Sequence, residues 1–578
     1  MRRLSTSQRR EPRVAARHWV ALSATAAALG LAPFVLASYP LAILTLGLAY
    51  GLFAFGLDLA WGRAGVISIG HAVFFGAGAY GVAIAGRAGL SPLIGAAIAL
   101  ALAILVSYIV GRIGLGPKSL PSTMAVITLA LTLLGEQAAR SWLSLTNGSN
   151  GIYVPSLGTV NAYYLTAAIV FCAVVAIWVL LLRGRFGRRM LAVRVNQPRT
   201  EHLGVDPQRT KITAFVLGAA VAAVAGSVAA PVMGLVSPAA VGIVMSTQVL
   251  VWVAVGGRGT ILGAFLGAIL VTAGQLYLGD TLGAWYLLAL GIAFILVVKF
   301  APEGLVGLGA RLLRRSVSRS AARGMLPDAP SRGAAERAQT AEQTLRSGPA
   351  LQLRHVHNSL GPVPTITGVD FSVKYGEIVC LIGPNGAGKT TLLNLIAGDL
   401  TPTAGEIEVL GEQVAGWHAH RRANLGLGRL FQVPSIYPEL TPAQNMRLAL
   451  SEAFREIELP PELARFSDID DMLARDLSLA DQRALELAVA IGWGPIVVLL
   501  DEPAAGLSHE DALRLAELLR RVNARLDCTL VVVEHDMEIV RELADRVVVM
   551  ANGRILTEGS MDEVAAHEEV RSAYLGNA

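Results

Sequence analysis

Charged residues are scarce in this sequence. Of its 578 residues only 16% are Asp, Glu, Lys or Arg, and 53% are hydrophobic, whereas a soluble domain averages about 25% charged residues. This scarcity excludes a disordered protein, a coiled coil and an ordinary soluble enzyme. Cysteine is also rare, and Cys172, Cys380 and Cys528 stand far apart. A disulfide scaffold and a clustered-cysteine metal site are therefore excluded.

The scarcity of charge belongs to the first half of the chain. Between residues 21 and 182 the charged residues are Asp58, Arg63, Arg87, Arg112, Lys118, Glu136 and Arg140. Such a stretch is typical of membrane helices, each of which needs about 20 apolar residues. Apolar segments lie near 18–37, 40–60, 66–86, 91–113, 122–142, 163–182, 212–236, 242–272 and 283–300. They predict a polytopic all-α membrane domain with about eight to ten transmembrane helices.

Basic residues indicate which loops face the cytoplasm. Six arginines precede the first apolar segment: Arg2, Arg3, Arg9, Arg10, Arg13 and Arg17. By the positive-inside bias they predict a cytoplasmic N-terminus, and a cleaved signal peptide is the alternative. Residues 311–349 are basic and poor in large apolar side chains, which predicts a flexible linker. We therefore expect a membrane domain in 1–310, the linker in 311–349 and a soluble domain in 350–578.

The soluble part contains a phosphate-binding loop. The pattern G-x-x-x-x-G-K-[ST] follows an apolar strand, Ile378–Ile382, and precedes a helix, which is the context this motif requires. Backbone N–H groups of such a loop surround a phosphate, and the helix N-terminus adds its dipole. Lys389 can reach the β- and γ-phosphates, and the Thr390 hydroxyl can ligate Mg²⁺. The predicted ATP-binding residues are Gly383, Pro384, Asn385, Gly386, Ala387, Gly388, Lys389, Thr390 and Thr391.

Two further apolar strands end in residues suited to phosphate chemistry. Ile496–Leu500 is followed by Asp501 and Glu502. A carboxylate there lies near the Mg²⁺ of a P-loop, and the next carboxylate can polarise an attacking water. The third strand precedes His535, a candidate γ-phosphate contact. These strands predict an α/β P-loop NTPase.

In this order the motifs resemble the ATPase domain of an ABC transporter, over residues 351–578. The resemblance implies that Glu502 is the catalytic base, that His535 is the switch histidine and that Gln432 of the Q-loop senses Mg²⁺ beside Thr390 and Asp501. It also implies that two cassettes enclose two ATP molecules.

The signature and the stacking aromatic are among the family features that are altered in this sequence. The signature stretch keeps Ser478 and Gln482 but has Leu479 and Ala480 in place of two glycines. A Cβ at each of these positions should hinder approach to the nucleotide of the opposite cassette. Leu360 stands where a stacking aromatic is usual.

The membrane part resembles the permease subunits of branched-chain (hydrophobic) amino acid uptake ABC transporters. The similarity begins with WGRAGVISIGHAVFFGAGAY at Trp61–Tyr80 and covers nearly all of 20–310. Further similar segments are Met124–Gln137, Ser144–Ile152, Arg185–Lys211, Val249–Ala268 and Ala301–Leu308.

In that family the loop near Arg188–Asp206 forms a coupling helix that docks on the cassette. Its arginines suit an acidic cassette surface, or equally a positive-inside anchor. For the intramembrane residues Asp58, His71 and Glu136, functional and structural roles both remain open.

The resulting hypothesis is ATP-driven import of branched-chain or related small amino acids by a fused permease and ATPase in the bacterial inner membrane. ATP and Mg²⁺ are the expected cofactors. A second permease, a second ATPase and an external substrate-binding protein are the expected partners, and no nucleic acid is needed. A urea or short-amide importer of the same family is the first alternative. A homodimeric exporter and a regulator that does not transport are the others.

Overall fold

The chain forms two compact units. In the computed structural model one unit comprises Met1–Arg194 and Gln208–Met325, and the other comprises Val195–Pro207 and Leu326–Ala578. The structure describes residues 11–116, 119–120, 122–283, 285–300, 303–314, 348–361, 363–455 and 457–570. Arg2, Arg3, Arg9 and Arg10 and most of the predicted linker lie outside the described residues.

The first unit is built almost entirely of helices. A pair of two-residue strands, β1 (Ile152–Tyr153) and β2 (Leu235–Val236), is antiparallel. One-turn π-helical segments extend two helices, at Leu59–Arg63 and Trp178–Leu182. The helices are α1 (Glu11–Val35), α2 (Ser38–Asp58), α3 (Ala72–Arg87), α4 (Pro92–Gly114), α5 (Thr123–Ser141), α6 (Leu143–Thr146), α7 (Thr159–Ile177), α8 (Arg185–Val195), α9 (Gln197–Glu201, in the second unit), α10 (Pro207–Met233), α11 (Ile243–Gly256), α12 (Ile261–Leu282), α13 (Trp285–Phe300) and α14 (Gly304–Arg314).

Six of the described helical stretches are long and apolar enough to cross a membrane. They are Ser38–Arg63, Pro92–Gly114, Thr159–Leu182, Pro207–Met233, Pro238–Gly256 and Ile261–Leu278, and two shorter apolar helices are Leu22–Val35 and Ala72–Arg87. The all-α membrane domain is confirmed. Within the residues that the structure describes, the six stretches and the two shorter helices together make eight, the lower end of the predicted range. The predicted segment 242–272 is two helices, because the chain turns at Gly257 and Gly259, both at positive φ.

Glycine lets the helices of this unit approach closely. The added Cβ of a residue at Gly56 of α2 would lie 2.7 Å from the carbonyl oxygen of Gly218 on α10, and a Cβ at Gly218 would collide with the carbonyl of Gly56. Such contacts between small residues are the usual basis of helix association in a membrane.

Each of the polar residues noted in this unit has a partner within the protein. His71 is buried with Nε2 3.2 Å from the Gly218 carbonyl oxygen. Asp58 accepts a 2.7 Å hydrogen bond from the Gly259 N–H. Glu136 forms a 2.6 Å ion pair with Arg140. These contacts favour a structural role for all three.

The second unit is an α/β domain with two sheets. The strands are β3 (Leu351–Leu360), β4 (Val363–Val373), β5 (Ile378–Ile382), β6 (Ala404–Val409), β7 (Glu412–Gln413), β8 (Leu427–Leu430), β9 (Val497–Asp501), β10 (Thr529–Val533), β11 (Arg546–Ala551) and β12 (Arg554–Gly559). The six-stranded sheet has the order β12-β11-β5-β10-β9-β8, in which all neighbours are parallel except β11 and β12, and the antiparallel sheet has the order β4-β3-β6-β7.

The central strands β5, β9 and β10 are buried along their whole length, as strands covered by helices on both faces must be. This architecture confirms the predicted P-loop NTPase fold. The helices are α15 (Lys389–Ala397), α16 (Ala419–Ala423), α17 (Pro442–Ser451), α18 (Pro461–Ala464), α19 (Leu479–Gly492), α20 (His509–Leu526), α21 (Met537–Leu543) and α22 (Met561–Ala566).

Adding one methyl group, by a glycine-to-alanine substitution, tests the close contact between α2 and α10. We expect Gly218→Ala to lower the free energy of unfolding by about 1–3 kcal/mol, the usual cost of overpacking, although alanine is the better helix former. Gly86→Ala is the matched control, since nothing lies within 4 Å of its added Cβ. Thermal unfolding of the purified protein in detergent measures both. Equal midpoints for the two variants would contradict the close packing of α2 and α10.

Candidate nucleotide site and docked segment

The predicted site residues meet at one edge of the six-stranded sheet. Strands β8, β9, β10 and β5 are parallel neighbours, so their carboxyl ends lie side by side, where α/β sheets bind ligands. The residues at these ends are Phe431 and Gln432, Asp501 and Glu502, Glu534 and His535, and the loop from Gly383.

The loop between β5 and α15 has the backbone of a phosphate cradle. Gly383, Gly386 and Gly388 have φ of 150°, 83° and 99°, which other residues rarely adopt. The Lys389 ammonium donates to the carbonyl oxygens of Gly383 (2.6 Å) and Pro384 (3.0 Å). Burial lowers the pKa of Lys389, whereas the negative charges of Glu502 and Asp501 raise it by a smaller amount. A buried ammonium held by carbonyl oxygens within a glycine loop fits a nucleotide phosphate.

Two side-chain groups whose oxygen atoms suit Mg²⁺ lie together beside this loop. The Thr390 hydroxyl donates a 3.3 Å hydrogen bond to Oδ1 of Asp501. Burial raises the pKa of Asp501, and the nearby Arg429 guanidinium partly offsets it. A hydroxyl and a carboxylate are ligands that Mg²⁺ accepts together with substrate phosphates. Gln432, predicted to sense Mg²⁺ beside them, donates a 2.9 Å hydrogen bond to Oε2 of Glu502.

Glu502 has an unusual backbone. Its φ is 46°, a left-handed conformation that costs a residue other than glycine about 1–3 kcal/mol. A hydrogen bond from its N–H to the Val533 carbonyl (2.9 Å) holds it there. The side chain bonded to Gln432 stands at the end of β9, beside Asp501.

Glu534 is a functional candidate that the sequence did not reveal. It is fully buried, and its Oε1 accepts a 3.0 Å hydrogen bond from the Ala504 N–H, in the loop after Glu502. Burial raises the pKa of Glu534. The adjacent His535 has its side chain 63% exposed, with Nδ1 3.9 Å from Oε2 of Glu534. In the sequence, the only sign of this role is that Glu534 directly follows an apolar strand.

The altered signature stretch caps its own helix. The Ser478 hydroxyl, at the N-cap of α19, accepts from the Asp481 N–H (3.1 Å) and donates to the Asp481 carboxylate (2.8 Å). Asp481 also pairs with Arg465. Leu479 is 43% exposed, and Gln482 turns back to the Leu477 carbonyl (3.0 Å). A carboxylate that sequence reasoning missed thus occupies a helix N-terminus, where a phosphate would otherwise bind.

Val195–Pro207, which we call the docked segment, belongs to the second unit. Its Arg199 is buried and donates from Nη1 to the Arg429 carbonyl (2.7 Å) and from Nη2 to the Glu486 carbonyl (3.2 Å). Burial lowers the pKa of Arg199. Thr200 Oγ1 lies 2.9 Å from the Tyr437 hydroxyl.

The docking contacts combine charged pairs with hydrogen bonds to backbone carbonyls. The buried arginine meets backbone carbonyl oxygens, while an acidic residue of the segment, Glu201, lies 3.6 Å from His420. His202 is bonded to Asp399 (3.1 Å). Carbonyl oxygens at the end of β8 and in α19 thus accept from two of the five guanidinium donors of Arg199, and the negative charge of Glu486 also stabilises this cation.

The same elements hold the Q-loop backbone. Arg483 of α19 donates to the carbonyls of Phe431 (2.7 Å) and Gln432 and forms a 3.1 Å ion pair with Glu486. Oε1 of Glu486 accepts from the Phe431 N–H (3.1 Å). The buried Arg483–Glu486 pair therefore joins the docking surface of Arg199 to the residue that holds Glu502.

A P-loop domain with this strand order, joined to a helical apolar unit, defines an ATP-binding cassette transporter that hydrolyses ATP to drive transport. Family models agree. Residues 39–298 match "Branched-chain amino acid transport system / permease component", residues 366–505 match "ABC transporter", and residues 554–578 match "Branched-chain amino acid ATP-binding cassette transporter". The chain belongs to the branched-chain amino acid ABC transporter family, with permease and ATPase fused.

Curated relatives match the ATPase part over their full length. The branched-chain amino acid transport ATP-binding proteins BraF of Pseudomonas aeruginosa and LivG of Escherichia coli are each 31% identical over 254 residues, 40% of this chain and 100% of each relative. The lipopolysaccharide export ATP-binding protein LptB of Acidithiobacillus ferridurans is 31% identical over 236 residues, 39% of this chain and 97% of that protein. The cassette alone therefore does not set the transport direction.

Cross-linking can test the docking of Arg199. Cysteines replace Glu201 and His420, and the exposed Cys172 becomes serine. We expect Arg199→Ala to lower the rate at which a short thiol reagent cross-links the two introduced cysteines about tenfold. The reason is that hydrogen bonds to charged groups contribute about 1.5–3 kcal/mol each. Arg185→Ala, at an exposed position of α8, should leave the rate unchanged. A wild-type rate in Arg199→Ala would show that this side chain does not hold the segment.

Proposed function

We propose that this chain is the fused permease and ATPase of a binding-protein-dependent importer for branched-chain or related small amino acids in the bacterial inner membrane. The match of residues 39–298 to a branched-chain amino acid permease carries this proposal. The likeness of the cassette to BraF and LivG supports it. The basic N-terminal residues and the docked segment support a cytoplasmic location for the N-terminus and the cassette.

The cassette residues have distinct proposed roles. The loop from Gly383 to Thr391 binds the phosphates, and Lys389 neutralises their charge. Thr390 and Asp501 hold Mg²⁺, which when bound neutralises charge on the β- and γ-phosphates. The Glu502 carboxylate lies 2.9 Å from the Gln432 amide. We propose that it accepts a proton from the attacking water.

The Q-loop and the switch residue complete the proposed machinery. Gln432 holds the Glu502 carboxylate in place and reports the state of the docked segment through Phe431, Glu486 and Arg483. His535, with an exposed ring at the neighbouring strand end, contacts the γ-phosphate once the two cassettes close. Closure and reopening of the two cassettes are transmitted to the permease through the docked segment.

We infer an asymmetric assembly with a second permease, a second ATPase and an external binding protein. ATP held by Lys389 and Glu502 faces the partner's signature and is hydrolysed. ATP held by the partner faces Leu479 and Ala480, where the Asp481 carboxylate in the first turn of α19 accepts from the Ser478 hydroxyl. Like-charge repulsion and the two Cβ atoms disfavour a γ-phosphate there.

Uptake into proteoliposomes tests the function. The chain, its partner subunits and the binding protein are reconstituted with ATP inside, and labelled leucine or urea is added outside with the binding protein. We expect leucine to accumulate only when ATP and the binding protein are both present. Accumulation of urea instead would favour the alternative importer, and outward transport would contradict import.

Two substitutions test the asymmetry. Glu502→Gln should lower uptake by a factor of about 10²–10⁴, the usual contribution of a general base. Ser478→Ala should lower uptake by less than about twofold, because its hydroxyl serves the N-cap, worth about 1 kcal/mol of stability. Equal losses of uptake in the two variants would contradict an asymmetric assembly.

A further inference from the structure

Arg429 on β8 lies between two carboxylates of the second unit. Its Nη1 forms a close ion pair with Asp399, whereas its Nη2 lies 3.9 Å from Oδ2 of Asp501. Nη2 also donates to the side-chain oxygen of Asn394, and the guanidinium is buried. The cation is thus bonded to Asp399 and stands about 1 Å beyond hydrogen-bond distance of Asp501.

The two oxygens of Asp501 have different surroundings. Oδ1 accepts from the Thr390 hydroxyl at 3.3 Å, and Oδ2 faces Arg429. If the guanidinium moved onto Oδ2, it would neutralise the carboxylate and compete with a divalent cation for it. The distance between Arg429 and Asp501 therefore decides how available this carboxylate is to a metal ion.

Asp399, which retains Arg429, is held on its other side by the docked segment. His202 Nε2 lies 3.1 Å from Oδ1 and 3.2 Å from Oδ2 of Asp399, and it must be the donor because an ionised carboxylate only accepts. The His202 ring is buried and packs edge-on against Phe431, with centroids 5.3 Å apart. The position of Asp399 therefore depends on whether the segment is docked.

We propose that His202 and Asp399 are positioning residues for Asp501. The docked segment fixes Asp399 where it retains Arg429, which leaves Asp501 free for the divalent cation that accompanies the nucleotide. When the segment leaves, Asp399 loses its second partner and Arg429 pairs with Asp501 instead. Docking and cation binding then favour each other by the same factor, as linkage requires.

This proposal rests on the proposed function, namely on Asp501 as a Mg²⁺ ligand and on the docked segment as the coupling element. It adds a contact route of four side chains from the segment to the metal carboxylate: His202, Asp399, Arg429 and Asp501. This route is separate from the one through Glu486 and the Q-loop backbone, because it shares no hydrogen bond with that route.

Binding of Mn²⁺ with ATP, followed by electron paramagnetic resonance, tests the route without relying on turnover. The full chain carries Glu502→Gln, which blocks hydrolysis. We expect His202→Ala and Asp399→Asn to weaken Mn²⁺ binding about tenfold, the scale of lost support for a metal ligand. His202→Gln retains an N–H donor and should keep most of the affinity. His509→Ala is the matched control, since its exposed ring contacts Glu538 and not the docked segment, and it should leave Mn²⁺ affinity unchanged.

A double-substitution cycle with Arg429 decides the mechanism. Arg429→Gln removes the competing cation, so Mn²⁺ affinity should not fall, and adding Asp399→Asn should then have no further effect. Wild-type affinity in His202→Ala, or a tenfold loss that persists in the Arg429→Gln chain, would overturn the proposal. Asp501→Asn should abolish Mn²⁺ binding. If it does while His202→Ala binds normally, only this proposal fails, whereas normal binding by Asp501→Asn would overturn the metal assignment as well.

Discussion

The buried guanidinium of Arg199 is the constraint on which the second unit depends. A charge taken out of water needs hydrogen-bond partners, and removing those partners costs several kcal/mol. The carbonyls of Arg429 and Glu486 accept from Nη1 and Nη2 of Arg199, and they belong to β8 and α19, the elements that carry the Q-loop and the signature stretch. Residues from the middle of the membrane half of the sequence therefore fold as part of the ATPase unit.

Around this contact the site concentrates buried carboxylates. Glu486, Asp501 and Glu534 are nearly inaccessible, and burial raises the pKa of each. Each has a basic side chain or backbone N–H groups as partners, and these partners stabilise the ionised carboxylate against the cost of burial. The strained φ of Glu502 belongs to the same pattern, since strain persists only where surrounding contacts hold it.

The sequence predicts the parts of the site whose chemistry follows chain order. A P-loop after one strand and carboxylates after another suffice to place Lys389, Thr390, Asp501 and Glu502 at one sheet edge. Hydropathy likewise predicts the helical membrane domain. Arg199 was beyond such reasoning, because a side chain bonded to backbone carbonyls 230 and 287 positions away leaves no pattern in the sequence. The role of Asp481 was equally beyond it, because that role depends on the Ser478 hydroxyl and on Arg465, which only the fold brings to its carboxylate.

Hydrogen–deuterium exchange of the docked segment in the full chain tests the central claim most directly. The amides of Thr200 and Val205 are hydrogen-bonded within the segment, and Arg199 buries it in the cassette. We expect protection of these amides comparable to that of β8, together with a further increase when Mg²⁺ and ATP bind. Exchange as fast as that of an exposed loop, whether nucleotide is present or absent, would contradict it.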